Sequence, residues 1–292
     1  MSLKISQLDA ITGIKKSETA NFVVQTSEGT QRISFANLKK AMTSEYPFTD
    51  AVELDYTWAD IKSMAQAGSF ESDIRVGDFK TITVNGETAV MEVAGIDTEY
   101  KCGDTATGHH IDFISRDCLK DTVQWNTAGN NNGTADENNP YLAASISTYL
   151  TGTVYGWLPD DVKAVVSNKR ALMEVRYTAG STTVTDSTSW AWKDLGKVWL
   201  PSEVEVYGQT VWGNSGWSAG ESSQYPIFRD GWAKRVKGAG AGGDRCIWWL
   251  RDAYAGSSTV VLVVNFSGNP YWSASYNTNY TIRVPLCFRI AA

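Results

Sequence analysis

Two stretches near the C-terminus alternate apolar side chains with a period of two: Val260, Leu262, Val264 and Phe266, then Ile282, Val284, Leu286 and Phe288. That period places alternate residues on one face of a strand, so each stretch is expected to turn one face inward. Upstream, Thr57 to Gly68 (TWADIKSMAQAG) carries helical signals, with Thr57 as a cap and Gly68 as a stop. Strand candidates follow at Arg75 to Val84, Thr88 to Ile96 and His110 to Arg116, punctuated by Gly-Asp and Asn-Gly turns. A loop-rich middle separates them from the closing strands. Helix early and antiparallel strands late imply an α+β fold rather than a βαβ one.

The 292 residues suit one large domain and one small one. Residues 1–46 form a first segment, with a short helical opening at Ile5, Leu8 and Ile11 and a hairpin around Glu28-Gly29. A second short helix there begins at Phe35, Leu38 and Met42. This segment is too small to bury much surface alone, so it is expected to oligomerise or dock on a partner. Residues 47–56 read as a linker and 57–292 as the main domain. A short helix is expected at Asp160 to Val166, capped by the aspartates.

The net charge is −6, and the densest basic stretch, Lys234, Arg235 and Lys237, is short. Nucleic-acid binding therefore has little electrostatic support. The segment Met1 to Leu8 shows no apolar signal core, and Thr259 to Val264, the strongest apolar run, is far below membrane-spanning length. Synthesis in a cytoplasm with no membrane insertion is the expectation. Cys102, Cys118, Cys246 and Cys287 form no C-x-x-C pair, and four buried thiols are expected.

Several segments in order carry a family resemblance: VGDFKTI (76–82), HIDFISRDCL (110–119), LPDDVKAVV (158–166), VWLPSEVEVYG (198–208), YPIF (225–228), WWLRDA (248–253) and VPLCFRI (284–290). Together they resemble a domain family of phage and gut-bacterial surface proteins. That family is similar to the formylglycine-generating-enzyme type of C-type-lectin-like fold, which includes the variable proteins of diversity-generating retroelements. The resemblance covers about residues 57–290. Here Arg283-Val284-Pro285 replaces the family's Arg-Pro, Arg251-Asp252 its Arg-Ser, and ENNPYLAASIS a Trp-x-x-Ser segment. KISQLDAI and TQRISFANLKKAM in the first segment resemble N-terminal parts of phage tail-fibre proteins.

The resemblance implies a ligand-binding adhesin: a phage or prophage tail receptor-binding protein with a hypervariable C-terminal surface. It would sit on the virion, or otherwise on a bacterial cell surface, as a homotrimer contacting a host cell-surface protein or glycan. Other tail proteins would be met through the first segment. Linked copies raise avidity roughly a hundredfold or more without new contacts.

The candidate ligand-binding residues are Asp252, Tyr254, Ser257, Ser258, Asn265, Ser267, Asn269, Tyr271, Trp272, Ser275, Tyr276, Asn277, Asn279 and Tyr280. Tyrosine and tryptophan offer large contact area with few torsions to freeze, and Ser and Asn supply adaptable hydrogen bonds. Randomised adenine-rich codons would yield the same residues. The wider chain has 12 Trp and 13 Tyr, many beside small polar residues as in WGNSGWSAG (212–220), which read as loops with rigid contact groups.

Enzymatic chemistry finds less support, and no catalytic residue, cofactor or metal is expected. His109 and His110 are adjacent, so on a strand they point to opposite faces and share a metal poorly. Glu203 and Glu205, at strand spacing, would lie on one face, which keeps a fibre-associated glycan hydrolase as an alternative. Their other reading is structural, with Arg245 and Arg251 as core partners. A purely structural virion protein is the third reading. Gly129 to Asn139 (GNNNGTADENN) offers calcium-like oxygens but reads as a solvated loop.

Overall fold

The computed structural model describes residues 21–26, 29–34, 51–70, 74–102, 107–179, 189–213, 224–229, 233–272 and 280–292. The chain divides into two compact units, Met1–Asp50 and Ala51–Ala292. In the first, β1 (Asn21–Thr26) and β2 (Gly29–Ser34) pair antiparallel, with Thr26 opposite Gly29. The two helical stretches expected at Ile5–Ile11 and Phe35–Met42 lie outside the described residues.

The second unit opens on α1 (Trp58–Ala67). Thr57 Oγ1 accepts from the Asp60 amide at 3.1 Å, and the Asp60 carboxylate accepts from the Thr57 amide at 2.9 Å. This reciprocal pair satisfies donors that the first turn leaves open. Gly68 ends the helix with φ of 63°, a left-handed conformation that glycine adopts without a Cβ penalty.

Next come β3 (Phe79–Val84), β4 (Glu87–Ile96) and β5 (His110–Cys118). Asn85 and Gly86, with φ of 49° and 77°, make the two-residue hairpin turn between β3 and β4. The C-terminal strand, β15 (Pro285–Ala291), closes this sheet beside β5, giving the antiparallel order β15-β5-β4-β3. Trp58 of α1 lies edge-on against Phe113 and Phe288, at 5.2 and 5.6 Å between ring centres, and so seals one face of the sheet.

After β6 (Val123–Gln124) the chain runs through α2 (Pro140–Ala143), α3 (Ser145–Thr148), a π-turn (Tyr149–Val154), α4 (Tyr155–Trp157) and α5 (Asp160–Lys163). The N-cap of α5 is Pro159 rather than an aspartate. Asp160 and Asp161 occupy the first turn instead, where they favour the positive helix end. β7 (Arg170–Val175) pairs with β8 (Ser189–Asp194).

The segment around Glu203 and Glu205 is not a strand. It forms α6 (Glu203–Tyr207), capped by Ser202 in a reciprocal pair with Glu205 and ended by Gly208 at φ of 81°. Ser-x-x-Glu after a proline is a strong helix start, and it overrides the β preference of Val204 and Val206.

The closing elements are β9 (Lys237–Gly238), β10 (Arg245–Cys246), β11 (Trp248–Ala253), β12 (Val261–Val264), β13 (Pro270–Tyr271), β14 (Thr281–Ile282) and β15 (Pro285–Ala291). β12 is the central strand of β11-β12-β13, and all four of its residues are buried, so both faces are covered. Single-face alternation therefore fails in β12, and Phe266 lies beyond the strand at 56% exposure. The last alternating stretch splits: β14 pairs with β6 and β15 with β5. Cys287 and Arg289 of β15 are buried along with Leu286 and Phe288.

Four tryptophans, Trp125, Trp199, Trp248 and Trp249, are core residues rather than loop contact groups. The indoles of Trp125 and Trp249 donate to the Leu250 and Val123 carbonyls at 3.0 and 2.9 Å, which satisfies their buried N–H groups. Cys102 is exposed, and the other three thiols are buried. Asn131, in the stretch expected to be a solvated loop, is fully buried. Its side-chain amide donates to the Ser257 and Val260 carbonyls at 2.8 and 2.5 Å.

Candidate binding face

Four charged residues of the signature segments meet in the core. Asp112 (β5), Glu205 (α6), Arg251 (β11) and Arg289 (β15) converge with Glu99 and Lys169, all nearly or fully buried. Lys169 Nζ lies 2.8 Å from both Glu99 Oε1 and Glu205 Oε1, and 3.0 Å from the Tyr225 hydroxyl. Arg289 donates to both Asp112 oxygens at 2.7 Å and to Glu99 at 2.8 Å. Arg251 grips both oxygens of Glu205 at 2.5 and 3.2 Å.

Glu99, Asp112 and Glu205 thus balance Lys169, Arg251 and Arg289. Burial pulls the Lys169 ammonium down, but Glu205 and Glu99 outweigh it and hold its pKa above the usual lysine value. Burial likewise opposes ionisation of Glu205, yet Arg251 and Lys169 bring it down to about 2. Asp112 is held well below the usual range against burial, by Arg289 and Lys169. Each charge has an opposite neighbour, the condition under which buried ions are tolerated. The network ties β5, α6, β11 and β15 into one scaffold.

Glu203 and Glu205 do not share the strand face that their spacing suggested. Two residues apart on a short helix, they point to different neighbours. Glu205 enters the charge network. Glu203, also buried, accepts from the Trp212 amide at 3.1 and 3.2 Å and from the Gly213 amide at 2.9 Å. Asp252 accepts from the Glu203 amide and so caps the helix start from β11.

Burial pushes Glu203 up to about 7, with the Asp252 charge adding and the amides at 211–213 opposing. Burial also pushes Asp252 up to about 6, against Arg251 and the Glu203 amide. Beside them lies a small cleft whose lining includes Tyr141, Glu174, Trp190, Gly213 and Asp252.

Aromatic rings stand at this edge of the molecule. Tyr254 and Trp272 stack at 4.9 Å with 8° between planes. Trp212 meets Trp272 edge-on at 5.4 Å and 64°. Trp212 and Trp272 are 36% and 37% exposed, which is high for side chains of this size. Three separate segments thus supply one aromatic group.

Of the candidate residues, Tyr254 and Trp272 come together. Tyr271 is exposed on β13 next to Trp272 in the chain, and Tyr280 is exposed further on. Asp252 is half-buried beneath the group. Several others build turns: Asn265 Oδ1 accepts from the amides of Ser267 and Asn269 at 2.9 and 3.0 Å. The Ser257 carbonyl accepts from Asn131 and Arg176, and the Ser258 carbonyl accepts from the Asn131 amide. Ser275, Tyr276, Asn277 and Asn279 lie outside the described residues. Trp212 was absent from the candidate residues, although its segment carries the same aromatic and small-polar signature.

His109 and His110 diverge as adjacency requires. His110 is buried, with Nδ1 2.8 Å from the Gly108 carbonyl, while His109 pairs with Asp97 at 2.7 Å and stacks on Tyr100. Among the described residues no three His, Cys, Asp or Glu side chains are grouped to hold a metal ion.

A family model described as "Domain of unknown function (DUF6273)" matches residues 113–290, more than half of the chain. The chain belongs to the DUF6273 family. No curated protein and no solved structure matches it. The DUF6273 span contains Lys169, Glu205, Arg251 and Arg289 of the charge network, and it also contains Trp212, Tyr254 and Trp272.

Proposed function

We propose that this DUF6273 protein is a ligand-binding protein of the adhesin type, whose contact surface is the aromatic group Trp212, Tyr254 and Trp272 with Tyr271 beside it. The observation that carries this reading is the partial exposure of stacked rings supplied by three segments over a fully buried charged scaffold. Large amphipathic rings held rigid in advance lose little entropy on contact, and such residues dominate binding energy at interfaces. The ligand is a bacterial cell-surface protein or glycan, and the protein acts on a phage or prophage tail fibre as a homotrimer. The resemblance of the signature segments and of the first segment to those proteins supports this placement.

The test is adsorption of the purified, labelled chain to a panel of bacterial cells, compared with Trp272→Ala and Tyr254→Ala/Trp272→Ala. Loss of one truncated anchor typically weakens binding by at least about 2 kcal/mol, or roughly thirtyfold. Equal adsorption by the folded double variant would overturn the assignment of the face.

A further inference from the structure

We propose that Glu203 and Asp252 act as a latch whose protonation state decides whether Trp212 stays in the aromatic group. The functional meaning of the latch rests on the reading of that group as the contact surface; the latch itself does not.

The backbone of Trp212 is held from two sides. Its amide and that of Gly213 donate to the Glu203 carboxyl group, and its carbonyl accepts from the Ala255 amide at 3.1 Å. Ala255 follows Tyr254 directly, so one hydrogen bond links the chain segments of two rings. Gly213 makes the approach possible: a Cβ there would lie 3.1 Å from Glu203 Oε2. Asp252 holds the Glu203 amide, and it precedes Tyr254 by two residues on the same chain segment. Trp212 and Tyr254 therefore depend on the same two acids.

Among the described residues, the titratable groups facing Glu203 are Asp252 from β11 and Tyr207 from its own helix. Asp252 faces Arg251 and Glu205, which engage each other, and shares the cleft with Glu174. Arg251, the cation that faces Asp252, also grips Glu205. Full ionisation would leave two like charges side by side in a buried setting, which disfavours the charged form.

Burial raises both acids, Glu203 to about 7 and Asp252 to about 6. In a loop-open state, where water reaches them, each would return toward its ordinary value near 4. The latched state therefore binds protons more tightly than the open one. Its advantage is full below about pH 4, where both states are protonated, and is lost progressively as pH rises to about 7. Rising pH releases Trp212 from Trp272 and thins the contact surface.

The experiment needs no ligand. The full chain is labelled with 5-fluorotryptophan, and the Trp212 fluorine resonance is assigned through Trp212→Phe. In the wild type this resonance shifts between about pH 4 and pH 8, with a midpoint between the open-state value near 4 and the latched value of about 7. In Glu203→Gln, a neutral isostere, it stays near the acid position throughout. Asp252→Asn removes the neighbouring charge and lowers the midpoint, and it serves as the working variant if Glu203→Gln fails to fold. A Trp212 resonance that does not titrate in the wild type, or that titrates identically in the folded variants, overturns the latch. A titrating resonance with adsorption that ignores ring truncation leaves the latch standing and removes the contact-surface reading instead.

Discussion

Replacing Lys169 by methionine probes the centre of the scaffold. The ammonium is fully buried and contacts Glu99 and Glu205 at 2.8 Å, the Tyr225 hydroxyl at 3.0 Å and Asp112 at 3.8 Å. It also lies 5.6 Å from the centre of the Trp199 ring. Methionine fills much of the volume, but it leaves Glu99, Asp112 and Glu205 facing only Arg251 and Arg289. One buried negative charge is then uncompensated, a defect that costs about 3–5 kcal/mol. For a unit of this size that lowers Tm by roughly 6–20 °C. The penalty has a pH signature. In the wild type Glu205 and Asp112 are depressed, so their stabilising contribution is present at neutral pH and is lost only as pH falls through their low folded values. In Lys169→Met the surplus carboxylate is raised instead and takes up a proton on acidification, so the penalty shrinks from pH 7.5 to pH 5. Chemical denaturation at both pH values, with and without a second Glu205→Gln change that restores charge balance, measures this. A penalty under about 1 kcal/mol at pH 7.5, or one independent of pH and not relieved by Glu205→Gln, would refute the charge-balance account.

Gly68→Ala places a Cβ about 2.8 Å from the His109 ring at a residue with φ of 63°, so it should cost about 2–3 kcal/mol in thermal or denaturant unfolding. A native-state thiol titration should count one fast cysteine, Cys102, and all four only after unfolding. Trp272→Ala, at a ring 37% exposed, should change stability by about 1 kcal/mol while weakening adsorption roughly thirtyfold, as read from parallel melts and cell-binding curves.

Local signals in the sequence were reliable where the deciding residues sit close together. Thr57, Asp60 and Gly68 mark both ends of α1, and Asn85-Gly86 marks the β3–β4 turn. Where two local signals competed, the weaker one misled. Val204 and Val206 suggest a strand, but the Ser202–Glu205 pair makes a helix, and the presumed face shared by Glu203 and Glu205 disappears with it. In β12 and β15 the alternation was real, yet neighbouring layers cover the second face, which no single strand can announce. The candidate site was half legible for a related reason. Tyr254 and Trp272 lie in the stretch that composition marks out, whereas Trp212 reaches them through contacts between positions far apart in the chain. Nothing in residues 203–213 alone indicates that Glu203 meets Asp252 across 49 residues.

The signature segments and the aromatic group answer to different physical demands. Asp112, Glu205, Tyr225, Arg251 and Arg289 each come from a segment that carries the resemblance, and each is buried in one network of ion pairs and hydrogen bonds. A buried charge network tolerates few substitutions, because any member removed leaves its partners unbalanced. Residues of this kind make a family identifiable without reporting what it binds. The side chains of Trp212, Tyr254 and Trp272 enter none of those ion pairs: Trp272 meets the other two rings, and each ring is at least partly exposed. Asp252 is where the two demands meet, since it adjoins Arg251 in the chain and caps the helix that bears both Glu205 and Glu203. A change at Asp252 should therefore register in both the stability of the scaffold and the order of the aromatic group, whereas changes at Trp272 register mainly in the second.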